Sequence, residues 1–222
     1  MLEVFKYTNN LISPLGLNKD IWIWKSNLNF NFKEITKYLI NKEEYLIKKF
    51  PAASDGNTNL PNSVTARNPF FNLFSFEDSD ELNKVKKFIK LNVKEMLNKF
   101  NLNNLKDLYI ICWFNVLRKG ESIGKHTHYS LKRAHESFIS GHFCVNAFNT
   151  STFYNDISEQ TILEIKNEIG QLTMFPSYLP HWSNKHNGEE PRISIAFDIF
   201  PEKKFAWNHY VDTKTAIQFN LE

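Results

Sequence analysis

Arg192-Ile-Ser-Ile-Ala-Phe-Asp-Ile-Phe200 reads as a strand, and neighbouring side chains on a strand point to opposite faces. Arg192, Ser194 and Ala196 then share one face, and Ile193, Ile195 and Phe197 share the other. An arginine and a hydroxyl stand side by side. Upstream, Ile169-Gly-Gln-Leu-Thr-Met-Phe-Pro176 reads as a strand leaving a glycine turn, with His181 just past its end between Pro180 and Trp182. Strand patterns also cover about 107–118, 122–128 and 138–148.

Ahead of these strands the periodicity is helical. Ile35, Leu39, Tyr45 and Ile47 recur at helical spacing over 32–49. Leu82, Val85, Phe88, Ile89, Val93, Met96 and Leu97 form the apolar face of a helix over 79–99, capped by Asp78 or Ser79. Ile21-Trp22-Ile23-Trp24-Lys25 suggests a short strand at a sheet edge. Residues 51–68, rich in Pro, Ser, Asn, Asp and Gly, read as a loop long enough to cover something. The expected fold class is α+β, mainly β, with N-terminal helices supporting one face of a β-sandwich or jelly roll. One domain over 1–222 is expected: a helix-rich support region at 1–105, a β core at 106–200 and a C-terminal extension at 201–222.

A chain of 222 residues with 42% hydrophobic content can bury a full core, roughly 70% of its unfolded surface at this size. The formal charge of +3 comes from scattered residues, whereas nucleic-acid binding calls for a concentrated basic patch. Cys112 and Cys144 sit in apolar strand-like runs and read as buried free thiols rather than a disulfide. Glu3 and Lys6 interrupt the N-terminus, and no apolar run suits a signal peptide or a membrane span. The expected location is the cytoplasm, or the host cytoplasm for a phage-encoded chain.

The chemistry concentrates in the histidines. On an extended backbone His126 and His128 face the same way and can grip one ion, with His181 as a distant third ligand. Neutral imidazole suits iron, zinc, copper or nickel, so donor type alone does not choose the metal. Arg192 narrows the choice of ligand. A permanent cation that binds carboxylates in a bidentate fork suits a dicarboxylate that chelates the ion at one end and meets the guanidinium at the other, and 2-oxoglutarate fits.

The run Trp113-Phe-Asn-Val116, Lys119-Gly-Glu-Ser122, His126-Thr-His128, Ile139-Ser-Gly-His-Phe143, Gly170-Gln-Leu172, Met174 to His181 and Glu190-Pro-Arg-Ile-Ser194 resembles the 2-oxoglutarate and Fe(II)-dependent oxygenases of bacterial and phage genomes. The resemblance covers roughly 107–200, with a weaker echo in Ala66 to Phe74. It implies a double-stranded β-helix of the cupin type, Fe(II) and 2-oxoglutarate as cofactors, and O2 as a further co-substrate. By similarity, His126 and His181 match histidine ligands, and Arg192 with Ser194 matches the 2-oxoglutarate anchor. The implied activity is a dioxygenase coupling oxidative decarboxylation of 2-oxoglutarate to hydroxylation of a second substrate. The chain departs from the pattern at His128, where the common facial triad has a carboxylate. His128 is read as a third imidazole ligand.

Other readings stand beside this one. His135 is the rival first-sphere ligand, His142 either faces the pocket or is structural, and His186 and His209 are expected at the surface. Asn115, on the same strand face as Trp113, is a candidate to hydrogen-bond co-substrate or substrate, and Arg192 could instead pair with Glu189 or Glu190. Phe143, Phe153 and Tyr154 read as core rather than substrate clamp, and 51–68 with 129–137 are the candidate lids. Two alternative functions remain: a three-histidine cupin-like dioxygenase that needs no 2-oxoglutarate, and a non-catalytic β-sandwich that binds a metal or ligand. The second substrate, whether a protein side chain or a small metabolite, and the oligomeric state are not legible.

Overall fold

A computed structural model describes residues 2–6, 20–53, 55, 57–102, 105, 107–128, 139–155, 162–201 and 215–221. Among them the architecture is mainly antiparallel β. The strands are β1 (Leu2–Lys6), β2 (Asp20–Asn27), β3 (Tyr109–Leu117), β4 (Ile139–Asn146), β5 (Ser151–Asn155), β6 (Ile162–Lys166), β7 (Gln171–Pro176), β8 (His181–Ser183), β9 (Arg192–Phe200) and β10 (Ile217–Gln218). They form a seven-stranded sheet in the order β1-β2-β7-β4-β9-β3-β10 and a three-stranded sheet in the order β6-β5-β8.

The two helices fall where periodicity places them, α1 at Phe32–Lys49 and α2 at Asp80–Lys99. Ser79 caps α2 by accepting from the Leu82 N–H at 3.3 Å, which satisfies one of the otherwise orphaned donors of the first turn. Ile35, Leu39, Leu46, Val85, Ile89, Val93 and Met96 pack with Phe114, Phe143, Ile193, Ile195 and Phe197 in one continuous core. These are the apolar alternates of β3, β4 and β9, so the helices cover one face of the large sheet. A smaller cluster of Ile21, Ile23, Tyr154, Ile165, Phe175 and Leu179 joins the large sheet to the small one.

Two sequence expectations require correction here. The strand over 21–25 is not at an edge, because β2 pairs with β1 on one side and β7 on the other. The 51–68 segment is not loop throughout: 64–70 winds into a 3-10 helix whose entry is fixed by the Ser63 hydroxyl accepting from Thr65 N–H. Cys112 and Cys144 are buried and free, and no described helix is long and apolar enough to cross a membrane.

Register sets the chemistry of the large sheet. In β3 and β9, Asn115 lies opposite Ser194 and Trp113 opposite Ala196; in β4 and β9, His142 lies opposite Ala196 and Ser140 opposite Asp198. The polar alternates of three neighbouring strands therefore share the face turned away from the helices. On the opposite, helix-covered face Gly141 permits close packing, since a Cβ there would lie 2.4 Å from Phe197 Cζ and 2.9 Å from the Thr173 carbonyl oxygen. Gly170, at φ +80°, makes the turn into β7 with its amide donating to the Cys144 carbonyl.

Candidate metal centre

His126, His128 and His181 meet in a cavity of about 50 Å³ between the two sheets. One nitrogen of each ring lies within 4.8 Å of the others. Backbone pairing brings the distant histidine in: His126 N–H donates to the His181 carbonyl at 3.1 Å, and His181 N–H returns a bond of 3.0 Å. His128 N–H donates to the Ser177 carbonyl at 3.1 Å.

This is a correction to the strand expected at 122–128. The segment touches its neighbour through one isolated bridge rather than a ladder. Its backbone donors are diverted: Ile123 N–H donates to Ser183 Oγ, and Gly124 N–H to the Thr58 carbonyl. The rings of His126 and His128 nevertheless stack 5.2 Å apart.

The Nδ1 atoms are engaged away from the convergence point. His126 Nδ1 lies 2.8 Å from the Gly124 carbonyl, His181 Nδ1 2.9 Å from the Leu179 carbonyl, and His128 Nδ1 2.5 Å from Asp198 Oδ1. Partners of this kind fix ring orientation and tautomer, leaving Nε2 as the remaining ligating nitrogen. Burial, reinforced by the neighbouring histidines, lowers the His126 pKa to about 4 and holds His181 well below the ordinary imidazole value. Both rings are therefore neutral near pH 7, the form that binds metal.

Arg192 lines the same cavity and is 2% exposed. Its Nε and Nη1 are buried with no hydrogen-bond partner. Desolvation lowers its pKa from the ordinary guanidinium value, with Cys144 opposing the shift, yet a guanidinium stays charged under such conditions. Neither alternative acidic partner pairs with it among the described residues: Glu189 meets Lys119, and no described salt bridge joins Arg192 to Glu190. A buried cation without a counter-ion costs on the order of several kcal/mol, so the arrangement fits an anionic ligand.

Ser194 sits beside the arginine, and its Oγ accepts from Asn115 Nδ2 at 3.4 Å. Asn115 Oδ1 accepts in turn from Thr65 Oγ1 at 2.8 Å. Thr58 lines the cavity as well, so the stretch over 51–68 reaches the site at two points. His142 faces the cavity with its Nε2 unpartnered, and burial next to Arg192 pushes its pKa down to about 3.

Sequence reasoning missed several features. Asp198, 3% exposed, accepts from Ser140 Oγ at 2.5 Å besides meeting His128. Thr152 and Trp182 on the small sheet complete the cavity wall. His186, expected at the surface, is fully buried, with Nε2 2.7 Å from the Glu190 carbonyl. Tyr154 is core as expected, while Phe153 stacks on Trp182 at 5.6 Å. His135, the lid at 129–137 and His209 lie outside the described residues. A larger groove of about 790 Å³ beside α1 holds no histidine and no convergent ligands, so size does not make it the reactive site.

Residues 111–198 match the model of a protein family described as "Putative 2OG-Fe(II) oxygenase". No curated protein sequence matches the chain. Among solved structures, a prolyl-4-hydroxylase from Pseudomonas putida superposes with a TM-score of 0.51 at 9% identity, over 80% of this chain and 91% of the other. The non-heme alpha ketoglutarate dependent carbocyclase SnoK from nogalamycin biosynthesis gives 0.51 at 9% identity, over 80% and 79%. At such identities the likeness is one of fold.

Proposed function

We propose that the chain, whose residues 111–198 match a 2OG-Fe(II) oxygenase family model, is a dioxygenase that hydroxylates a second substrate at the expense of 2-oxoglutarate. The strands read as a double-stranded β-helix of the jelly-roll type, with the small sheet closing over the polar face of the large one. The observation that carries the reading is the pairing, in one cavity, of three convergent imidazoles with a buried guanidinium whose Nε and Nη1 have no hydrogen-bond partner.

His126, His128 and His181 would hold the metal, each through Nε2. Fe(II), when bound, supplies O2 activation coupled to oxidative decarboxylation of 2-oxoglutarate, and the hard chemistry is the cofactor's. The chain's own residues bind, orient and exclude. Arg192 receives the distal carboxylate of 2-oxoglutarate through Nε and Nη1, forming charge-assisted hydrogen bonds that are stronger than neutral ones. Ser194 donates to the same carboxylate, its hydroxyl proton left available because Asn115 meets Ser194 as a donor. Asn115 is thereby a positioning residue, itself fixed by Thr65. The small volume and the walls of Trp113, Phe175 and Ala196 keep bulk water from the reacting groups, which strengthens electrostatic binding inside.

Iron-dependent succinate release from 2-oxoglutarate tests the activity. Wild-type protein loaded with Fe(II) is expected to form succinate, and His181→Ala is expected to abolish it. Oxygen consumption with no 2-oxoglutarate requirement would favour the three-histidine dioxygenase instead.

A further inference from the structure

Of the three rings, two rest their Nδ1 on peptide carbonyls, neutral acceptors, and one rests on a carboxylate. The odd one is His128, the ring standing where a facial triad has Asp or Glu. Its partner, Asp198, is buried and held from a second side by Ser140. Both contacts follow from the fold: β4 and β9 place Ser140 directly across from Asp198, and the His128 N–H bond to Ser177 sets the backbone from which the ring reaches down.

We propose that Asp198 is a positioning residue for the metal centre, returning through His128 the negative charge that a directly ligating carboxylate would bring. The inference rests on the three-histidine reading and adds to it. A carboxylate that accepts an imidazole Nδ1–H makes the opposite nitrogen a more basic ligand. Three metal-bound imidazoles backed by one carboxylate would carry the same formal charge as two imidazoles and one bound carboxylate. The substitution at position 128 has therefore moved the charge outward by one side chain without removing it. Ser140 keeps the carboxylate from rotating away from the ring.

Metal affinity and redox potential, measured on the full chain, test this. Apo protein is titrated anaerobically with Fe(II), and the Fe(III)/Fe(II) potential is read on the loaded form. Asp198→Asn keeps an oxygen to accept the Nδ1–H but removes the charge. It is expected to weaken Fe(II) binding about 10- to 100-fold and to raise the potential, because the oxidised ion loses more from the missing anion. Unchanged affinity and potential would overturn the proposal, leaving Asp198 as packing.

His128→Asp supplies a second background, in which the introduced carboxylate would ligate the ion itself and no imidazole would relay the charge of Asp198. There, adding Asp198→Asn is expected to change Fe(II) affinity several-fold less than it does beside His128. An equal loss in both backgrounds would mark a merely structural Asp198 and overturn the proposal. Should Asp198→Asn fail to fold, Ser140→Ala, which keeps the carboxylate but removes the hydroxyl that holds it, is expected to weaken Fe(II) binding a few fold, and unchanged binding there would overturn the proposal. Failure of the wild-type chain to bind Fe(II) would remove the three-histidine reading itself, and tight wild-type binding with no Asp198 effect would remove only the present inference.

Discussion

Arg192 and the residues around it show what one side chain can disclose. Its place in an alternating strand predicts an inward cation, and burial with two unpartnered nitrogens agrees. Arg192→Ala should raise the 2-oxoglutarate KM about 10- to 100-fold, the equivalent of lost charge-assisted hydrogen bonds of about 1.5–3 kcal/mol, while Fe(II) affinity measured by titration stays within a few fold. Arg192→Lys should rescue little, because an ammonium cannot reproduce the planar fork. The histidine trio and the Arg-x-Ser pair were legible because rare residue types in close spacing carry their own chemistry. Asp198 was not, since its role appears only when register sets it beside Ser140 and under His128. His186 misled for a related reason: Asn184-Lys-His-Asn-Gly-Glu189 has the composition of a solvated loop, yet the ring packs 5.5 Å from Phe148 and its carbonyl accepts from Gly120 N–H.

At the scale of elements, legibility follows length and regularity. α1 and α2 span five turns or so each, enough for periodicity to speak clearly. β5, β6 and β8 have five residues or fewer and left no distinct signal. Local cues also cannot say whether an extended segment finds a ladder, so 122–128 read as a strand and is held by side-chain and loop acceptors instead. Two expected outcomes belong here. Ser79→Ala should cost about 1 kcal/mol through loss of the α2 cap, read as a lower urea midpoint at unchanged slope. Gly141→Ala should cost about 1–3 kcal/mol by overpacking, since Phe197 is fully buried and the Thr173 carbonyl cannot retreat from the β4–β7 ladder; thermal unfolding with the wild-type midpoint would refute the tight packing at that point.

For the molecule as a whole, the mainly β class with helices on one face was readable from segment types, whereas the sheet order and the cavity between sheets arise from pairings distant in sequence. That cavity makes stability pH-dependent in the metal-free protein. His142 at about 3, His126 at about 4 and His181 well below its ordinary value are kept neutral in the fold but titrate near 6.5 when unfolded. The unfolded chain thus binds more protons between about pH 4 and 6.5, so stability is complete above that range and declines as pH falls through it. The urea midpoint of apo protein should drop between pH 7 and pH 5, a window above the exposed carboxylates; a flat midpoint would mean the rings are not held neutral.

Anaerobic addition of 2-oxoglutarate to Fe(II)-loaded protein tests the central claim most directly. A single ferrous site with the co-substrate bound should give a visible metal-to-ligand charge-transfer band that saturates at one equivalent of each, vanishes in His181→Ala and needs far more 2-oxoglutarate in Arg192→Ala. No band from protein shown to have bound Fe(II), or a band indifferent to Arg192→Ala, would contradict the pairing of three imidazoles and a guanidinium in one working site.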